Sequence, residues 1–277
     1  MALVINTNVA SLEAQKNVLT NQKALQSSFN KLSSGFRVNS AADDAAGLAI
    51  SESMKSQIRS YTVAERNAAD GASMAQTAEG ALGEVHNVLG RMRELAMQSS
   101  NGSLGATDRD YLDAEYQSLK AEVTRIQGSA KFNGNNLVGS ADNEITFQVG
   151  LEDASSDQIT LTFGGVDLAD LLATANTVAG ATAGDALAAL STIDDAIATV
   201  STSRSKFGAA MNRLDVATST IQTMRLNISA ANSRIRDVDV AEESSKMSRN
   251  QVLTQAGASV LAQANQIPQL AFGLIGR

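Results

Sequence analysis

The stretch IDDAIATVSTSRSKFGAAMNRLDVATSTIQTMRLNISAANSRIRDV, residues 193–238, carries a large apolar residue at every seventh position: Ile193, Val200, Phe207, Leu214, Ile221, Ile228 and Ile235. Three residues behind runs a second track of Ala196, Ala210, Ala217, Met224, Ala231 and Val238, with Ser203 as its one polar member. Apolar a and d positions sustained over six heptads predict a helix that packs along partner helices as a left-handed coiled coil. At about 1.5 Å per residue the helix would be roughly 65 Å long, far beyond the usual helix of a compact domain. Such a helix makes length and packing the function, rather than a pocket.

Composition points the same way. Only 4% of the 277 residues are aromatic, with no Trp and one Pro, so Ala and medium aliphatics must fill the core. Such residues suit close helix packing. There is no Cys, which excludes disulfides, thiolate metal sites and cysteine nucleophiles. The first residues, MALVINTNVASLEAQ, show neither the basic nor the long apolar region of a secretory signal, and no run is apolar enough to cross a bilayer. The net charge is −7. Between Lys131 and Arg204 there is no basic residue but ten acids, so this middle is expected to face solvent and to repel nucleic acid and anionic lipid.

Outward from the long helix, further stripes appear. Val18, Leu25 and Leu32 stand one heptad apart, with Phe29 and Phe36 on an interleaved track, before Ser33-Ser34-Gly35 interrupts. Ser40 with Asp43 predicts a helix cap. Ala75, Ala78, Leu82, Val85, Leu89, Met92 and Ala96 follow in alternating three and four spacing. Thr107 with Asp110 predicts another cap, ahead of Leu112, Tyr116, Leu119, Val123 and Ile126; Gly128 and Asn133-Gly134 then end helical structure. Ile145, Phe147 and Val149, then Ile159, Leu161 and Phe163, alternate with polar residues as two short strands that must lean on the helices. Gly164-Gly165 reads as a turn. Asp239 with Glu242 caps a last helix whose stripe is Val260, Ala264, Ile267, Ala271 and Leu274. The expectation is a mainly α fold: a long antiparallel coiled-coil rod with a small β-hairpin insertion and paired terminal helices. Two amphipathic helices cannot cover both their stripes, so Val18, Leu25, Leu32, Val260, Ala264, Ile267, Ala271 and Leu274 are the candidate assembly interface. Head-to-tail use of such a surface yields open helical polymers.

No chemistry-bearing constellation competes with that reading. His86 is the sole histidine and no HExxH is present, so no metal is expected. The acidic pairs Asp43-Asp44, Glu152-Asp153 and Asp194-Asp195 lack calcium-loop spacing. Gly164-Gly165 has no following Lys to make a phosphate cradle. No catalytic residue and no cofactor is expected, and the chain reads as a structural protein rather than an enzyme. Asn101-Gly102-Ser103 and Asn227-Ile228-Ser229 match the glycosylation tripeptide, a weak pattern, and Ser155, Ser156 and Thr160 are candidates for O-linked sugar.

Several blocks closely resemble bacterial flagellin: INTNVASLEAQ near the start, LSSGFRVNSAADDAAGLAISESM (32–54), RMRELAMQSSNG (91–102), KFNGNNLV (131–138), RIRDVDVAEESSKMSRNQVLTQAG (234–257) and VLAQANQIPQLAFGLIGR (260–277). The resemblance covers about 1–138 and 185–277, and the segment between is the family's variable part, here short. It implies a hollow helical filament for swimming, outside the cell, built from a homopolymer. It divides the chain into 1–44 (N-terminal helix of the inner, channel-lining domain), 45–140 (N-terminal part of the rod), 141–184 (outward-facing hairpin and loop), 185–237 (C-terminal rod helix) and 238–277 (C-terminal inner helix). Implied partners are an export chaperone, the type III export apparatus, and the filament cap and hook-junction proteins. The host Toll-like receptor for flagellin is a further one, through residues that match Arg91, Leu95 and Glu115. A hook–filament junction protein of the same family and a coiled-coil adaptor are the alternatives.

Overall fold

The computed structural model describes residues 7–180 and 183–275, with side chains described through Gln266. Helix α1 spans Val9–Ser34, α2 Ala45–Ser99 and α3 Ala106–Ser129. Strands β1 (Lys131–Phe132), β2 (Asn135–Asn136), β3 (Asn143–Gln148) and β4 (Gln158–Phe163) follow, then α4 (Ala169–Leu172), α5 (Gly184–Arg236) and α6 (Val240–Ile275). The fold is mainly α. Two compact units form: residues 57–226, and the two chain ends, 1–56 with 227–277.

In the 57–226 unit the a and d tracks of α5 are buried from Ile193 to Leu214 and at Ile221, Ser203 included. Opposite them, Leu82, Val85, Leu89, Met92 and Ala96 of α2 are fully buried. The helices run antiparallel, as their flanking ion pairs record: Arg93–Asp194 at 2.7 Å, Glu79–Arg204 at 2.6 Å and Glu65–Arg225 at 2.6 Å. The three α2 partners lie two heptads apart. Each pair is partly solvated and contributes about 0.2–1 kcal/mol, so the apolar seam carries the stability and the charges favour the register.

The seam of α2 changes character along its length. Its buried residues at one end are mostly small, Ala64, Ala68, Gly71, Ala75 and Ala78 with Met74 the exception, and at the other mostly large. The small end is where the hairpin leans. β3 and β4 pair antiparallel with Ile145 opposite Leu161 and Phe147 opposite Ile159, which puts Phe147, Ile159, Leu161 and Phe163 into the core. A Cβ on Gly71 would stand 3.2 Å from the Phe147 ring and 3.3 Å from Leu214, so any side chain there would have to push these neighbours back. Phe163 stacks on Phe207 of α5 at 5.4 Å between centroids, an arrangement worth about 0.5–1.5 kcal/mol beyond area burial. At the exit of β4, Gly164 and Gly165 take φ of +80° and +65°, the turn that this pair predicts.

A buried polar clasp holds the segment that leads from α4 toward α5. Lys120, on α3, donates to the carbonyls of Ala173 (2.8 Å) and Asn176 (2.9 Å). Asp113 accepts from the Thr177 hydroxyl (2.6 Å) and the Val178 amide (2.9 Å), and Tyr116 donates to the Asn176 side chain (2.8 Å). Arg109 reaches the carbonyls of Ser99, Asn101 and Gly180. Burial pushes the Lys120 pKa down and the Tyr116 pKa up, each against or along the influence of Asp113.

Three local expectations are corrected. α2 begins after Asp44, whose carboxylate accepts from the Gly47 amide at 2.8 Å; Asp43 instead turns back to the Ser40 amide and hydroxyl, which hold its carboxyl below the usual range. α3 starts at Ala106, with Asp108 accepting from the Gly105 amide at 3.1 Å, so Thr107 and Asp110 are not its cap pair. Asn133-Gly134 does more than end a helix. At φ of 47° and 85° it closes the β1–β2 hairpin, as two successive left-handed residues do in a two-residue turn. The Asp239 cap stands as expected, accepting from the amides of Ala241 and Glu242.

Gly71→Val is expected to lower the stability of the 57–226 unit by about 1–3 kcal/mol through overpacking against Phe147. Gly80→Ala, on an exposed turn of the same helix with open space at its Cβ, should raise it by about 0.5–1 kcal/mol. Chemical denaturation of both variants tests the pair, and equal effects would contradict this packing.

Candidate assembly surface

The terminal helices meet along a seam rich in small residues. On α1 the positions turned to α6 are Ser11, Ala14, Val18, Asn21, Leu25, Ser28 and Leu32, alternating by three and four, all buried or half-buried. On α6 the matching series is Glu243, Met247, Asn250, Thr254, Gly257, Leu261 and Ala264. The helices run antiparallel, since Asn8 donates to the Ala264 carbonyl at 2.8 Å and the Ser11 hydroxyl to the Asn265 side chain at 2.7 Å, while Val18 meets Gly257. A Cβ on Gly257 would come within 2.8 Å of Val18 Cγ2. Glycine there lets the two backbones approach closely.

The seam mixes small and polar residues with Val18, Leu25, Leu32, Met247 and Leu261, and other large apolar side chains are turned away from it. Leu12, Leu19 and Phe29 of α1 are more than half exposed, as are Val252 and Val260 of α6, with Leu253 beside them. Of the eight interface residues read from the sequence, Val18, Leu25, Leu32 and Ala264 lie in the pairing of α1 with α6. Val260, 55% exposed, stands outside it. The side chains of Ile267, Ala271 and Leu274 lie outside the described residues. Leu12, Leu19 and Leu253, not among those eight, are also exposed, and Leu12 to Leu19 and Leu253 to Val260 keep a seven-residue spacing.

Where α1 turns into α2, Gly35 ends the first helix at φ 77° and Phe36 bridges to Asp237. Arg236 caps the arrangement. Its guanidinium lies 4.6 Å from the centre of the Phe36 ring and pairs with Glu52 at 2.5 Å. This cation–π contact and ion pair tie both helical connections of the terminal unit together.

In the other unit, Arg91 and Glu115 are exposed and paired across α2 and α3 at 2.9 Å, with Glu94 a second partner at 2.9 Å. The hydrogen bonds that Arg91 donates to Glu115 first, then to Glu94, hold the guanidinium pKa above its ordinary value. Leu95 does not share their exposed face, being 1% exposed within the core. One helical turn separates Arg91 from Leu95, which lies at the edge of the buried α2 seam while Arg91 lies outside it. His86 is half-buried on the α2 flank that also carries Glu79 and Arg93. Among the described residues no group of three or more His, Cys, Asp or Glu could hold a metal ion, and no helix is long and apolar enough to cross a membrane.

The terminal unit leaves large apolar side chains exposed, and the 57–226 unit is built on a long antiparallel seam. Residues 5–141 match the bacterial flagellin N-terminal helical region, and residues 190–275 match the bacterial flagellin C-terminal helical region. The chain belongs to the bacterial flagellin family. A flagellin of Halalkalibacterium halodurans is 41% identical over 273 residues, covering 99% of this chain and 100% of that one. The flagellin of Bacillus subtilis is 37% identical, covering 96% and 97%. A flagellar filament 33 kDa core protein of Treponema phagedenis is 38% identical, covering 99% and 100%. The function is therefore that of a structural subunit of the flagellar filament, and the hook-junction alternative has no better support.

Gly257→Val is expected to force α1 and α6 apart, costing the pair about 1–3 kcal/mol. Amide exchange should quicken along both helices and stay unchanged in residues 57–226. Unaltered exchange in α1 and α6 would contradict the close approach at Val18.

Proposed function

We propose that subunits of this filament pack through the apolar side chains left outside the α1–α6 pairing, Leu12, Leu19 and Phe29 on one helix and Val252, Leu253 and Val260 on the other, together with Ile267, Ala271 and Leu274, which the sequence pattern adds to them. The carrying observation is the exposure of these large residues on a unit whose own seam is rich in small and polar residues. Contiguous apolar surface of this kind is a protein interface or an aggregation hazard, and a head-to-tail partner would bury it in an open helical array. The acidic stretch after Lys131 belongs on the outer surface, facing water. Secretion through the type III export route suits a chain without disulfides that must travel unfolded. A chaperone would shield the terminal surface before export, and the cap and hook-junction proteins would meet the same surface at the two filament ends.

A second reading concerns the monomer. Arg91 and Glu115, exposed and paired, with Leu95 packed beneath the same turn, support a patch for the host Toll-like receptor for flagellin, one that polymerisation would cover.

Val260→Asp tests the packing surface. The side chain is exposed in the subunit, so helical content should be unchanged, whereas a charge placed in a packed interface would cost several kcal/mol per contact and abolish seeded filament growth. Normal filaments from this variant, seen by electron microscopy, would refute the proposal. For the second reading, Arg91→Ala should weaken activation of receptor-bearing cells several-fold, the effect of losing about 1 kcal/mol or more at an interface. Glu152→Ala should leave it unchanged. A wild-type monomer that does not activate would refute the patch.

A further inference from the structure

The loop between α2 and α3 holds a reactive arrangement that filament assembly does not use. Asn101 and Gly102 are exposed, and Asn101 Oδ1 accepts a hydrogen bond from the Ser103 amide at 3.1 Å. That bond closes a turn of the side chain onto its own following backbone. It holds the carboxamide against the 101–102 peptide instead of leaving it free to swing into water, and it draws electron density from the side-chain carbonyl carbon. The amide of Gly102 takes part in none of the hydrogen bonds of this loop, which run from Asn101 to Gln98, from Ser103 to Asn101 and from Leu104 to Asn101. Glycine leaves that nitrogen unshielded, and a Cβ at residue 102 would meet nothing within 4 Å.

We propose that Asn101 is a site of spontaneous deamidation, at which the filament subunit acquires an age-dependent negative charge. The Gly102 nitrogen, on losing its proton to solvent base, attacks Cγ of Asn101. The oxyanion that forms on Oδ1 is the atom already bonded to the Ser103 N–H, so this donor stabilises the charge as it develops. The Cγ–Nδ2 bond then breaks and ammonia leaves, taking up a proton from water. The resulting succinimide is opened by water at either carbonyl, giving aspartate or isoaspartate. Neither an enzyme nor an oxidant is required.

The other Asn–Gly pair provides the contrast. Asn133 is held at φ 47° and Gly134 at φ 85° by the β1–β2 pairing on either side. Asn133 accepts no bond that would draw its carboxamide toward the next amide, and the hairpin opposes the backbone rotation that attack requires. The same dipeptide is therefore poised in one loop and restrained in the other. The change at residue 101 would also matter more. The Asn101 carbonyl accepts from Leu104 N at 3.2 Å and from the buried Arg109 guanidinium at 3.2 Å, and isoaspartate adds a methylene to the backbone at that point.

The purified full-length protein, incubated in mildly alkaline buffer, should show the mass gain of an amide-to-acid conversion in the tryptic peptide of residues 94–109. Isoaspartyl methyltransferase labelling should appear in the same peptide. The conversion should be at least as fast as in a synthetic, unfolded peptide of that sequence, whereas Asn133 should convert more slowly in the protein than in its own peptide. Gly102→Ala, which fits the loop without strain, should slow the conversion by an order of magnitude while leaving thermal unfolding unchanged. Protection of Asn101 in the folded protein relative to its peptide, or earlier reaction at Asn133, would overturn the proposal.

Discussion

The antiparallel seam between α2 and α5 is the constraint from which the larger unit follows. Two heptad tracks on α5 supply bulk at Ile193, Val200, Phe207, Leu214 and Ile221, and α2 answers with large residues at one end and small ones at the other. Close packing forbids voids, so the small end needs a third party. The hairpin supplies it, with Phe147 over Gly71 and Phe163 on Phe207. A two-stranded sheet has no stability alone, and a helix face of alanine and glycine has little apolar area to bury. Each completes the other.

The terminal unit answers a different constraint. A pair of helices could bury its largest apolar residues between its members, but here that place goes to Ser11, Ala14, Ser28, Asn250 and Gly257, with Val18 and Leu25 only half-buried. The pair is held by close approach and hydrogen bonds, and its greater apolar payload stays outside. Apolar burial contributes about 25 cal/mol per Å², so most of the stabilisation available to these helices is realised only when another surface covers Leu12, Leu19 and Val260. On the packing proposed above, folding of the ends and growth of the polymer are coupled by where the side chains point.

Much of this was legible in the sequence because periodicity reports burial. The α5 tracks as far as Ile221, the α2 stripe, the two alternating strands, the glycine stop at residue 35 and the Asp239 cap all lie where the spacing puts them, whereas Met224 on the second α5 track is 47% exposed. The reading of the terminal interface was only partly legible. Heptad spacing on α6 fits both the series through Val260 and the series through Leu261, and only the partner helix decides which faces inward. Large residues attract the eye as the seam, yet here Leu25, Leu32, Met247 and Leu261 share it with small and polar ones. Leu95 failed for a related reason: one turn from Arg91 places it on a neighbouring strip of the helix, and the buried strip took it. The caps slipped, from Ser40 to Asp44 and from Thr107 to Gly105, since several neighbouring polar residues are equally good on composition and differ only in backbone geometry.

The polar clasp on α3 had no sequence signal, because its acceptors are mainly main-chain groups. Lys120 and Arg109 between them reach five backbone carbonyls, and Asp113 accepts from a backbone amide. A backbone carbonyl is present whatever side chain it carries. Charged donors to such acceptors make strong hydrogen bonds, and removing them would leave several buried carbonyls unsatisfied. Side-chain packing would demand particular residues in the segment that leads into α5; the clasp demands only its path. That property suits a region whose sequence is free to drift while the helices on either side are bound by their heptads. Freedom in the excursion and constraint in the seam are then consequences of one choice, which atoms of the chain the helix α3 holds.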